Sequence, residues 1–108
     1  MKQIAFQVEK WDHLEMGNSA VVIPVHNRPA SLLRALESIR AQSRAVAECV
    51  VVDDGSTESL EDCRCFLEKE ISGGKWLRFS KNLGVSAARN AGVVLTNAKW
   101  ICFLDSDD

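Results

Sequence analysis

Near its carboxyl end the chain reads Phe103-Leu104-Asp105-Ser106-Asp107-Asp108, an apolar run that turns into a cluster of carboxylates. Acidic side chains at the carboxyl end of a buried strand can hold a divalent cation against a phosphate-bearing ligand. Residues two apart on an extended backbone point the same way, so Asp105 and Asp107 can converge on one ligand while Ser106 faces elsewhere. Taken alone, the tetrapeptide is equally a solvated acidic turn. A second acidic turn, Asp53-Asp54-Gly55-Ser56, also follows an apolar run, Cys49 to Val52. By itself it reads as an ordinary Asp-Gly turn, with Gly55 adopting angles closed to other residues and Asp53 holding the turn together. A third polar group, His26-Asn27-Arg28, ends the run Ala20 to Val25.

These groups have to be positioned by the elements between them. Ala20-Val21-Val22-Ile23-Pro24-Val25 is apolar without polar alternation, as expected for a strand covered on both faces. Pro29 suits a first helical turn, and Leu32, Leu33, Leu36 and Ile39 follow at helical spacing. Cys49 to Val52 forms a second strand. Ser59 and Asp62 have the spacing of a capping box for a helix through Leu60, Cys63 and Leu67, which Ser72-Gly73-Gly74 ends. Trp76 to Phe79 is a third strand, Ser86 to Thr96 an alanine-rich helix, and Trp100 to Leu104 a fourth strand. The pattern is βαβαβαβ. It predicts an α/β fold: an open, mostly parallel sheet with helices on both faces and ligands collected at the carboxyl ends of the strands. Residues 1–18 fall outside the pattern and are expected to form an N-terminal arm, with residues 19–108 as the folded unit.

Composition narrows the classes of function. The chain has 108 residues, 46% of them hydrophobic, which suits a single globular domain. Thirteen basic against fifteen acidic residues leave a net charge of −2, too little positive field to favour nucleic acid. No apolar stretch approaches the ~20 residues that cross a bilayer, and Glu9 and Asp12 interrupt any signal peptide. The expected location is cytoplasmic. Cys49, Cys63, Cys65 and Cys102 lack zinc-site spacing and read as free thiols of a reducing compartment.

Four ordered motifs then carry a family resemblance. Val22-Ile23-Pro24-Val25-His26-Asn27-Arg28, Val51-Val52-Asp53-Asp54-Gly55-Ser56-Thr57, Asn82-Leu83-Gly84-Val85-Ser86-Ala87-Ala88-Arg89-Asn90-Ala91-Gly92 and Phe103-Leu104-Asp105-Ser106-Asp107-Asp108 resemble the successive motifs of the family 2 glycosyltransferases. The resemblance spans residues 20–108 and implies a GT-A fold, of which this would be the Rossmann-like, nucleotide-sugar-binding half, cut after the fourth strand, with the acceptor-binding half absent. It implies a UDP-sugar donor, a Mg2+ or Mn2+ ion, and an acceptor that is a glycan, lipid or protein. Asp105 and Asp107 match the family's Asp-X-Asp motif and would together hold the metal, with Asp105 also near the ribose and Asp107 the direct metal contact. Asp54 takes the imide N–H of uracil. Pro24 brings main-chain carbonyls beside the base, and His26 stands where the family often has a stacking aromatic ring, though a lone histidine there is also a common structural residue. Lys81 would reach the base edge. Arg89 would face either the diphosphate or a carboxylate of the acidic loops, or serve as a purely structural ion-pair member.

The catalytic base is expected beyond residue 108, so this chain alone should transfer no sugar. Two further readings compete: a non-catalytic nucleotide-binding or regulatory module, and a phosphoacceptor signalling domain whose paired acids would follow the first strand. A sheet cut after its fourth strand would also expose an edge and apolar surface, from which either a homodimer or a loosely held terminus is expected.

Overall fold

The computed structural model describes residues 3–5, 18–42 and 46–105, the first three as backbone only. Five strands and three helices follow in the order β1 (Gln3–Ala5), β2 (Ser19–Val25), α1 (Pro29–Arg40), β3 (Glu48–Asp53), α2 (Glu61–Glu70), β4 (Gly74–Arg78), α3 (Val85–Leu95) and β5 (Trp100–Phe103). The strands make one sheet in the order β1-β5-β2-β3-β4, and every pairing is parallel. Chain order reverses between β2 and β5, because β3 and β4 lie to one side of β2 and β5 to the other. That reversal leaves a crevice at the carboxyl ends of β2 and β5, where the helices that leave these strands cannot both fill the space.

All seven residues of β2 are buried, which accounts for the unbroken apolar run from Ala20 to Val25. Side-chain alternation divides them between two cores. Val21, Ile23 and Val25 join Cys49 and Val51 and meet Leu32, Leu36 and Ile39 of α1 and Cys63 and Leu67 of α2. Val22, Val50, Val52 and Ile101 face the other way, toward Ala88 of α3. Helices therefore cover both faces, as the sequence pattern predicts. On the α3 side the approach is close: a Cβ on Gly92 would run into the Val22 side chain.

Pro24 is unusual in the middle of a sheet, since proline cannot donate to the ladder. Its position explains it. The β2–β5 pairing ends at Val22 opposite Phe103, and the Val22 carbonyl accepts the Leu104 N–H. Backbone groups of alternate residues face the same neighbouring strand in a parallel sheet, so Pro24 faces the side on which β5 has already ended. No hydrogen bond is lost there.

Three details differ from the sequence reading. Gln3–Ala5, within the expected arm, pairs with Trp100, Ile101 and Cys102 and adds a fifth strand that covers the edge of β5; three residues are too few for a periodic signal. No capping box forms at Ser59: the N-cap of α2 is Leu60, without a side-chain cap, and Ser59 Oγ accepts from Glu61 N–H at 3.3 Å instead. Gly74, expected within the break, already belongs to β4, where it lies against Leu67 of α2.

Candidate functional site

An open cleft of about 470 Å³ lies at the carboxyl ends of β2 and β5, lined by Pro24, Val25, His26, Arg28, Asp54, Asn82, Gly84, Val85, Arg89 and Asp105. Four chain segments meet there: the ends of β2, β3 and β5 and the first half of α3.

The Asp53-Asp54 turn is built inward from β3. Asp53, 2% exposed, accepts the Ser56 N–H on Oδ1 at 2.9 Å, which closes the turn as expected. Gly55 has φ +67°, and a Cβ there would collide with the backbone of Lys81 and Asn82. Glycine thus lets the loop before α3 lie directly on the turn. Asp54, 3% exposed, grips that loop: Oδ1 accepts the Leu83 N–H at 2.7 Å and Oδ2 the Gly84 N–H at 3.0 Å. The carboxylate expected to face a ligand is therefore committed first to the N-terminus of α3. A carboxylate has about four lone-pair sites, so each oxygen keeps room for one more donor.

His26 is oriented by a chain of hydrogen bonds. Asn27 Oδ1 accepts from Thr57 N–H at 2.8 Å, from the Thr57 hydroxyl at 3.3 Å and from Glu58 N–H at 3.0 Å. The other end of that amide, Nδ2, lies 3.3 Å from His26 Nε2. With Nδ2 donating, Nε2 accepts, and the ring proton sits on Nδ1, which donates to the Asp54 carbonyl at 2.8 Å. Asn27 itself has φ +55°, a left-handed angle that asparagine tolerates better than most residues. Its N–H donates to Ser56 Oγ at 2.9 Å.

On the far wall, Arg89 Nη2 donates to Asp105 Oδ1 at 2.8 Å, and its guanidinium carbon lies 5.6 Å from the centre of the Phe103 ring. Arg89 Nε is buried without a partner among the described residues. Of the fates the sequence left to Arg89, an ion pair with an acidic-loop carboxylate is present in this structure.

A family model described as glycosyl transferase family 2 matches residues 20–108. The chain belongs to this family. A glycosyltransferase of Rickettsia felis is 38% identical over 91 residues, and glycosyltransferase GlyA of Streptococcus pneumoniae is 40% identical over 90. Each match takes in 82% of this chain, which spans only 14% and 12% of the lengths of these two relatives. The crystal structure of S. aureus TarS 1–349 superposes with a TM-score of 0.76 at 26% identity, over 84% of this chain and 28% of that one. The α/β architecture is thus that of a GT-A glycosyltransferase.

Against this family 2 background, Pro24, His26, Asp54, Arg89 and Asp105 all line the one cleft. Lys81 does not line it: the residue is exposed, and its backbone packs under Gly55. Asp107, assigned to the metal, lies outside the described residues together with Ser106 and Asp108. Four contributors had no role in the sequence reading. Asn27 holds the Ser56–Glu58 turn, Asn82 reaches the Asp54 carbonyl at a long 3.5 Å, and Arg28 and Val85 complete the lining. Asn27 carried a legible signal, a turn-prone asparagine at a strand end; the others depend on which loops meet.

Among the described residues no group of three or more His, Cys, Asp or Glu side chains is placed to hold a metal ion. The donor chemistry nevertheless suits a hard cation. Asp105 gives Oδ1 to Arg89, its other oxygen has no partner among the described residues, and carboxylate oxygens are the ligands that Mg2+ and Mn2+ prefer. The thiols offer no competing soft site. Cys49, Cys63 and Cys102 are buried and free, burial pushes the Cys49 thiol up to about 12, and it raises Cys63 and Cys102 as well. No helix among the described residues is long and apolar enough to cross a membrane.

Proposed function

We propose that this chain is the donor-binding half of a glycosyltransferase that moves a sugar from a nucleotide sugar, with UDP as the nucleotide, to an acceptor hydroxyl. The observation that carries this reading is the convergence of Pro24, His26, Asp54, Arg89 and Asp105, from separate chain segments, on a single cleft at the switch point of the sheet. The pyrimidine lies against the His26 ring, whose face is held open by the hydrogen bonds at both ring nitrogens. Pro24 supplies a carbonyl on the side where β5 has ended. Asp54 uses a remaining lone pair for the imide N–H, and a base without that donor would leave the buried carboxylate facing an acceptor.

Asp107 and the free oxygen of Asp105 would hold a divalent cation, and Arg89 fixes how Asp105 is presented. Mg2+ or Mn2+ held there would supply Lewis-acid stabilisation of the negative charge on the departing diphosphate. The sugar is transferred with inversion, by an acceptor hydroxyl whose proton goes to a carboxylate base outside residues 1–108. Four free cysteines fit a reducing compartment, so the cytoplasm is the proposed location.

Calorimetric titration of the 108-residue chain with UDP, with and without Mn2+, tests this reading. The expected result is saturable binding that tightens with the metal, weaker binding of CDP, and no sugar turnover when donor and acceptor are both supplied. Absence of UDP binding under either condition refutes it.

A further inference from the structure

Among the described residues the charged groups of the cleft pair off, with one exception. Asp105 is taken by Arg89 at 2.8 Å, and Asp54 is answered by the N–H groups of Leu83 and Gly84. His26 is engaged at both ring nitrogens, by the Asp54 carbonyl and the Asn27 amide. Arg28 remains: it lines the cleft, yet its side chain makes no hydrogen bond or ion pair among the described residues. Its place in the chain makes this more notable. Arg28 is the N-cap of α1, a position that favours Ser, Thr, Asp or Asn, and it makes no side-chain cap. A cation there opposes the helix dipole, and no acidic residue in the first turn compensates. A local choice that disfavours folding and leaves a guanidinium free in a cleft is the kind of departure that ligand binding explains.

We propose that Arg28 is a specificity-determining residue of the cleft, its guanidinium fork receiving the phosphate oxygens of the nucleotide while the pyrimidine end is held at His26 and Asp54. Arginine suits this role because its planar donors match two phosphate oxygens at once. The inference rests on the nucleotide-binding reading above and deepens it: the charge of Arg89 is already paired with Asp105, whereas Arg28 is a cleft cation with no counter-ion among the described residues, so the anion falls to Arg28.

The test compares the wild-type chain with Arg28→Gln and Arg28→Lys, titrated calorimetrically with UDP and with uridine in a Mg2+ buffer. Arg28→Gln is expected to weaken UDP about tenfold to a hundredfold, the scale of a charge-assisted pair of hydrogen bonds, and to leave uridine within twofold of wild type. Arg28→Lys should fall between the two. Both variants should melt within a few degrees of wild type, since the side chain has no described partner to lose. Raising the salt concentration should weaken UDP binding by the wild type more than by Arg28→Gln, and the wild-type comparison of UDP with uridine keeps the proposal testable should a variant fail to fold. UDP affinity unchanged in Arg28→Gln, or equal wild-type affinity for UDP and uridine, overturns the role of Arg28 and leaves base recognition standing. A wild-type chain that binds neither ligand overturns both.

Discussion

Replacing Asp54 by alanine separates a scaffold from a ligand contact. The Asp54 carboxylate, 3% exposed, satisfies two backbone N–H groups at 2.7 and 3.0 Å, both in the loop that leads into α3. Hydrogen bonds to a charged group contribute about 1.5–3 kcal/mol each. The cleft is open, so water would recover part of that in the variant, and a loss of about 3 kcal/mol is expected in total. Against a typical domain stability of about 5–15 kcal/mol this is severe, and for a chain of this size it corresponds to a fall in Tm of about 10–25 °C. Asp54→Asn should cost somewhat less: the amide oxygen can still accept one N–H, but its NH2 then faces the other donor. Urea unfolding followed by tryptophan fluorescence measures both variants, with unchanged m values confirming that stability and not the denatured state has moved. If Asp54→Ala unfolds within about 0.5 kcal/mol of wild type, the carboxylate is not what holds the loop, and the account of how α3 is placed beside the cleft is wrong.

Two other predictions probe the frame around the site. Gly92→Ala should destabilise the chain by about 1–3 kcal/mol through overpacking against Val22, even though alanine is the better helix former by about 1 kcal/mol; a gain in stability would show that α3 does not lie as close to the sheet as described. At the opposite end of the sheet, Glu48 accepts from Lys75, Thr96 and the Asn97 N–H, tying the end of α3 to β3 and β4. Burial raises its carboxyl, but these hydrogen bonds and the charge of Lys75 together outweigh burial and hold it below the ordinary 4.5. The stability it contributes is therefore present above about pH 4.5 and disappears as the pH falls from there through the lowered folded-state value. The gap in unfolding free energy between wild type and Glu48→Gln should be constant from about pH 5 to 7 and shrink below pH 4.5. A gap that stays level down to pH 3 would rule out the latch.

Periodicity alone determined much of this molecule. Runs such as Ala20–Val25 and Cys49–Val52 carry no polar alternation, as a strand covered on both sides requires, and with the helical spacing between them they made the parallel sheet and its two helical layers legible in the sequence. So were the three polar turns, because motifs at strand ends are read from local order. What local order could not convey was who partners whom. The family resemblance aims Asp54 at a ligand, and only the packing of the loop 81–84 over Gly55 shows both of its oxygens engaged by backbone 29 and 30 residues away. Likewise Arg89 had two possible anions until β5 was set beside α3, and Arg28 stood out only once its charged neighbours among the described residues had found their counterparts. The edge strand Gln3–Ala5 was hidden for a related reason: three residues acquire strand character only from the partner they pair with. Burial patterns are written residue by residue along the chain, whereas hydrogen-bond and charge partners are chosen across it, and that choice belongs to the tertiary structure.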